Sequence, residues 1–205
     1  MLVIGITGPI AAGKSTVDAM LRELGADPVI DADAVVHELY RSSHPLQEAI
    51  VATFGPRSRR ADGTIDRKAL GQLVFGDPVA LQRLQDLVYP ATRVAVRARL
   101  DAAAPGTIAV VDAVKLLQGE LASLCTERWW IAANHSEQRR RLIEQRGLAP
   151  EQADARLAAQ PRLDDWRAQI DRVIDNSGSL IDTRRQVEAA WNQFVAMHKA
   201  ENRPS

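Results

Sequence analysis

The chain has 205 residues, a hydrophobic fraction of 46% and 26 basic against 26 acidic side chains, so it carries no formal net charge. That length suits one compact unit with an inserted lobe, and the charge balance argues against broad nucleic-acid binding, which needs a strong positive field. The single cysteine, Cys125, leaves no disulfide within the chain and reads as a small buried hydrophobe in a reducing cytoplasm.

Taken in chain order, Leu2 to Thr7 is an apolar run that reads as a buried first strand. No basic segment precedes it and it breaks at Gly5 and Thr7, so it is neither a signal peptide nor a membrane span. Gly8 to Thr16, GPIAAGKST, fits a phosphate loop: glycine, four residues, then Gly13, Lys14 and Ser15. Backbone N–H groups from Gly8 through Ala11 and Ala12 to Lys14 are expected to curl around a β-phosphate, with a helix N-terminus aimed at it. Lys14 then reaches the β- and γ-phosphates and the Ser15 hydroxyl is the expected Mg²⁺ ligand. The ligand class is thus ATP or another nucleoside triphosphate with Mg²⁺. Pro9 lacks an N–H and, with Ala11 and Ala12, stiffens the loop.

The helix after the loop is expected over Lys14 to Leu24, with Val17, Met20, Leu21 and Leu24 on one face and Gly25 as C-cap. Pro28 to Asp31 reads as a short second strand, and Asp33 sits at or near the N-cap of a helix from Ala34 to Tyr40. Residues 45–104 read as helical with no convincing strand, interrupted by a basic loop from Gly55 to Gly63. That is too long for a simple crossover, so 34–105 is expected to be an inserted helical lobe. Ile108 to Asp112 and Trp129 to Ala133 read as the third and fourth strands. A basic helix over Ser136 to Arg146 and a second helix over Pro150 to Ala159 follow, then a last strand Arg172 to Asp175 and an amphipathic helix carrying Val187, Trp191, Phe194, Val195 and His198. The tail from Glu201 looks frayed. Alternating strands and helices predict an α/β fold whose five-stranded parallel sheet is covered on both faces.

Such sheets bind ligands at the carboxyl ends of their strands. Parallel pairing would bring Asp31 and Asp33, Asp112, and Asp175 with Asn176 to the edge that carries the loop. Asp33 is either the proton acceptor for an attacking hydroxyl or a helix cap, and the two roles can coexist. Asp112 is either a second carboxylate on the magnesium side, acting through water, or an aspartate that ends a strand. His37, one turn after Asp33, would bind substrate phosphate or cap local structure. Arg139, Arg140, Arg141 and Arg146 cannot all face one ligand on a helix; most form a solvated face, or one or two descend on the triphosphate from a mobile flap. His44, His135 and His198 show no ligand spacing, so no zinc site is expected. The four tryptophans read as core and packing residues.

Together these pieces resemble the dephospho-coenzyme A kinase family over nearly the whole chain. The resemblance is carried by the loop, by Val29-Ile30-Asp31-Ala32-Asp33 with His37-Glu38-Leu39, and by Asp62-Gly63-Thr64-Ile65-Asp66-Arg67-Lys68-Ala69-Leu70 leading to Val74-Phe75 and Asp77-Pro78. Gln138, Arg141, Ala158-Ala159-Gln160 and Val173 to Leu180 complete it. It implies a three-layer P-loop kinase, monomeric or weakly oligomeric, that moves the ATP γ-phosphate to the ribose 3′-hydroxyl of dephospho-CoA. It also implies Asp33 as base, Asp33, His37, Arg67 and Asp112 on the substrate, and a lid over 135–165. Arg141, Arg146 and the turn Asn176 to Gly178 would lie on the ATP side. The departures are Pro9 and Ala11 in the loop, Tyr89-Pro90 for His-Pro, Ala113 to Leu117 for a proline-bearing stretch, and Gln145-Arg146 for Arg-Asp. They leave open a kinase with another small hydroxyl acceptor, such as a nucleoside or nucleotide, or an inactive nucleotide-binding paralogue.

Overall fold

The computed structural model describes residues 1–41, 44–160 and 162–201. The chain divides into two compact units, Met1–Val29 with Ala103–Ser205, and Ile30–Ala102. The second of these overlaps residues 34–105, the span expected for the insert.

The first unit is built on β1 (Leu2–Thr7), β2 (Ala26–Asp31, whose last two residues fall in the second unit), β3 (Ile108–Asp112), β4 (Glu127–Ala132) and β5 (Arg172–Asp175). These form one sheet in the order β2-β3-β1-β4-β5. β1 is central and parallel to both neighbours, with Ile6 opposite Asp112 and Thr7 opposite Trp130. Its residues Val3 to Thr7 are all buried, as expected for a strand covered on both faces. Gly5 is required there: a Cβ would come within 2.6 Å of Cys125 Sγ and 2.8 Å of a Leu116 methyl. Cys125 is accordingly half-buried, and burial pushes its thiol up to about 12.

On the other sheet face α1 (Lys14–Glu23) and α9 (Leu180–Glu201) close the main core around Ile4, Ile6, Val17, Leu21, Trp129 and Phe194. Trp129 and Phe194 meet edge to face at 6.5 Å, the favoured geometry for aromatic pairs. A smaller cluster, Leu142, Ala153 and Leu157, joins α6 (His135–Glu144) to α7 (Pro150–Ala158), and the loop residues Ile10 and Ala11 pack against it. The short α8 (Leu163–Trp166) follows.

The second unit is helical: α2 (Ala32–Leu39), α3 (Pro45–Phe54), α4 (Arg67–Val74) and the 24-residue α5 (Pro78–Asp101), which runs through Pro90. The basic loop is more ordered than its composition suggests. It holds a 3₁₀ turn at Pro56–Ser58 and an antiparallel bridge from Arg59 to Ile65. Asp62 accepts the Thr64 amide and hydroxyl, Asp66 caps α4 through Lys68 and Ala69, and Asp77 caps α5. Those hydrogen bonds hold the Asp62 carboxyl below the usual carboxylate range. Along α5 Leu81 is exposed while Val88, Thr92, Val96 and Leu100 are buried. The final residues 202–205, where fraying was expected, lie outside the described residues.

Candidate active site

The phosphate loop connects β1 to α1, and its geometry explains its glycines. Gly8 has φ +150°, and a Cβ there would sit 2.3 Å from the Ile131 carbonyl oxygen. Gly13 has φ +88°, and its Cβ would meet the Asn176 amide nitrogen at 2.1 Å and Arg141 Nη1 at 3.0 Å. Ala11 takes the left-handed conformation, φ +57°, at a cost of about 1–2 kcal/mol for a residue with a side chain.

Within the loop, Ala12 N–H donates to Pro9 O and Thr16 N–H to Gly13 O. The Ile10 N–H donates to Gln160 Oε1 at 3.0 Å. The N–H groups of Ala11, Gly13, Lys14 and Ser15 meet no acceptor among the described residues. Lys14, half-buried, forms no ion pair among them, and the Ser15 hydroxyl is exposed at the N-terminus of α1. Four unpaired donors, a free ammonium and a helix N-terminus make an anion site. A hydroxyl beside such a site, with phosphate oxygens to share, is the donor set that Mg²⁺ accepts, so the residues present fit that ion.

Arg141 does not hang over this site as a free cation. Its Nη1 donates to Ala11 O (3.2 Å) and Ala12 O (3.1 Å), its Nη2 to Asn176 O (2.8 Å) and its Nε to Glu137 (2.8 Å). Asn176 is buried and equally committed: its amide donates to Ala12 O at 2.8 Å and accepts from the Thr183 hydroxyl. Gln138 adds a bond to Ile10 O. The loop's carbonyls are thus held from behind by α6 and the turn after β5, while Gln160, two residues past α7, holds the Ile10 N–H. Glu137, which takes bonds from both Arg140 and Arg141, has its carboxyl lowered to about 2, Arg140 being the larger cause.

The other predicted positions fall as follows. Asp112 ends β3, half-buried, and Ala113 N–H donates to Ile6 O, so this carboxylate lies beside the strand that feeds the loop. Arg146 lies beyond the end of α6, exposed, while Arg139 pairs with Asp154 and Arg140 with Glu137 and Glu144. Gly178 is exposed, with room for a Cβ. In the second unit the N-cap of α2 is Asp31, whose carboxylate accepts Ala34 N–H. Asp33 therefore occupies the first turn, exposed, and does not serve as the cap. His37 is one turn on, half-buried, and Arg67 opens α4 near Tyr40, whose hydroxyl burial pushes up to about 12.

Comparison with known proteins decides among kinases. The family model for dephospho-CoA kinase matches residues 2–182. The chain belongs to the dephospho-CoA kinase family. A dephospho-CoA kinase of Symbiobacterium thermophilum is 48% identical over 93% of this chain and 80% of its own. One from Geobacter metallireducens is 42% identical over 95% and 98%. The solved dephospho-CoA kinase of Campylobacter jejuni superposes with a TM-score of 0.67 at 25% identity, covering 93% of this chain and 96% of its own. Within this family the segment Asp62 to Leu70, so distinctive as a sequence, serves here largely as turn and helix-cap chemistry. The support that Gln138, Gln160 and Asn176 give the loop left a signal only as family-matching positions; their partners are set by tertiary contact.

Proposed function

We propose that this protein phosphorylates the ribose 3′-hydroxyl of dephospho-CoA with ATP, giving coenzyme A and ADP. The observation that carries the reading is a family match over 2–182 joined to a loop whose four unpaired N–H groups and unpaired Lys14 form a phosphate site. The nucleotide phosphates lie along Gly8 and Ala11 to Thr16, with Lys14 on the transferring group. Arg141 and Asn176 act on the nucleotide through the loop they hold, and Arg146 and Gly178 lie at its periphery.

The 3′-oxygen attacks phosphorus in line. The O3′–P bond forms as the bond from the γ-phosphorus to the bridging oxygen breaks, and the electron pair leaves with ADP. Asp33 accepts the hydroxyl proton, a role supported by its exposed carboxylate, which Asp31 relieves of capping. His37, Arg67 and Asp112 are assigned to the acceptor. Mg²⁺, held by Ser15 and phosphate oxygens, would supply charge neutralisation on the phosphates. Residues 135–165 form the lid, docked on the loop here through Gln138, Arg141 and Gln160. No helix among the described residues is long and apolar enough to cross a membrane; we place the reaction in the cytoplasm, on a monomer or weak oligomer.

The test is purified protein with ATP, Mg²⁺ and dephospho-CoA, read by mass spectrometry for one added phosphate on the ribose. Asp33→Asn should lower kcat about 10²–10⁴-fold, the usual range for a lost general base, with ATP affinity held within twofold. Full activity in that variant would remove Asp33 from the chemistry.

A further inference from the structure

Beside the loop the first unit contains a cavity of about 200 Å³ that the roles above leave unused. It is lined by the loop entry at Gly8, by Lys115 and Gln118 after β3, by Trp130 of β4, and by Gln160 and Trp166 after α7. We propose that this cavity receives the purine base of the phosphate acceptor. The assignment rests on the kinase reading above and adds the element that selects the acceptor.

Position is the first argument. The Ala11 to Gly13 flank of the loop is closed by Arg141 and Asn176. The cavity instead adjoins Thr7 and Gly8, where β1 enters the loop. An acceptor must approach the γ-phosphate from a side of the loop that is not already filled. In dephospho-CoA the reacting 3′-hydroxyl shares one ribose ring with the adenine. A hydroxyl aligned for attack therefore carries its base, or its 5′-diphosphate, into whatever space adjoins it.

Chemistry decides between the two. A diphosphate would call for several cations, and the cavity offers one, Lys115, exposed at its rim and without an ion pair among the described residues. It offers two indole rings instead, which suit a flat aromatic base. Trp130 adds a donor on the cavity wall. It is only 4% exposed, yet its indole N–H meets no acceptor among the described residues, whereas the neighbouring Trp129 donates to Glu127 at 2.8 Å. The Trp130 nitrogen is not sealed from solvent, and a purine ring nitrogen is an acceptor it can take. The Gln118 amide is exposed and uncommitted, and Gln160 keeps its NH₂ free while its oxygen holds Ile10 N–H. Glutamine amides pair with the N6 and N7 edge of adenine.

The experiment compares dephospho-CoA with the same acceptor carrying hypoxanthine in place of adenine, in wild type, Trp130→Phe and the surface variant Gln118→Ala. Wild type should prefer adenine by about tenfold in kcat/KM. Each variant should raise KM for dephospho-CoA several-fold, hold KM for ATP within twofold, and narrow the base preference. Unchanged preference in both variants overturns the assignment. So does a KM defect that disappears when the pantetheine arm is removed from the acceptor, because the cavity would then hold the arm. Wild-type protein that transfers no phosphate to dephospho-CoA overturns the kinase reading itself, and this assignment with it.

Discussion

Arg141→Ala should weaken ADP and ATP together. The side chain is 14% exposed and, besides its bond to Glu137, makes one short bond to Asn176 O and a longer pair shared by Ala11 O and Ala12 O. Bonds to a charged group contribute about 1.5–3 kcal/mol each, so the short bond and the shared pair together contribute about 3 kcal/mol at least. Water entering the vacated space recovers part of that. Ala11 then relaxes from φ +57°, and nucleotide binding must restore a conformation that costs about 1–2 kcal/mol. The net loss should be about 2 kcal/mol, roughly 30-fold in Kd. Titration calorimetry of ADP and ATP measures it, with a thermal melt to confirm folding. Asn176→Ala removes the second bond to Ala12 O, so the double variant should lose clearly less than the sum of the singles. A loss confined to ATP would mean that Arg141 touches the γ-phosphate instead. Additive losses, or a change under twofold for both nucleotides, would refute the idea that the loop is held from behind.

Two further outcomes follow from the same contacts. Glu137 has a folded pKa of about 2 against 4.5 in the unfolded chain, so its contribution to stability is complete above about pH 4.5 and is lost as pH falls toward 2; the difference in Tm between wild type and Glu137→Gln should shrink over that range, and a constant difference would disprove the linkage. Glu127 is a buried carboxylate that accepts from Arg172, Trp129 and His198, so Glu127→Ala takes the carboxylate partner from the Arg172 guanidinium, leaving it the Gln193 amide oxygen, and should cost about 3 kcal/mol, lowering Tm by roughly 6–12 °C by calorimetry with nucleotide affinity unchanged; a drop under 2 °C would show that water or another group replaces it.

What could be read in the sequence was what local rules determine. β1, the loop and α1 follow from an apolar run, two glycines and a 3.6-residue apolar face, each a short-range pattern. β2 starts two residues earlier than expected because Ala26 and Asp27 carry no strand signal of their own. The cap of α2 shows how narrow the margin is. Asp31 and Asp33 are both competent N-cap residues, and sequence alone cannot say which carboxylate folds back on the backbone. The structure commits Asp31 to Ala34 N–H, and that commitment is what leaves Asp33 available for a proton. Arg141 marks the opposite limit. Its place on a basic helix suggested a phosphate contact, but its partners lie 130 and 35 residues away at Ala11 and Asn176, a distance over which no periodicity reports. The loop's departures become intelligible only at that level. Ile10 and Ala11 pack against the apolar cluster of Leu142, Ala153 and Leu157, so Ala11, one of the two residues that looked foreign to a phosphate loop, binds it to α6 and α7. A glycine at position 11 would relieve the left-handed strain and surrender that packing. Stiffness in this loop is therefore maintained by tertiary contact, and α6 cannot move far without releasing the loop's own carbonyls.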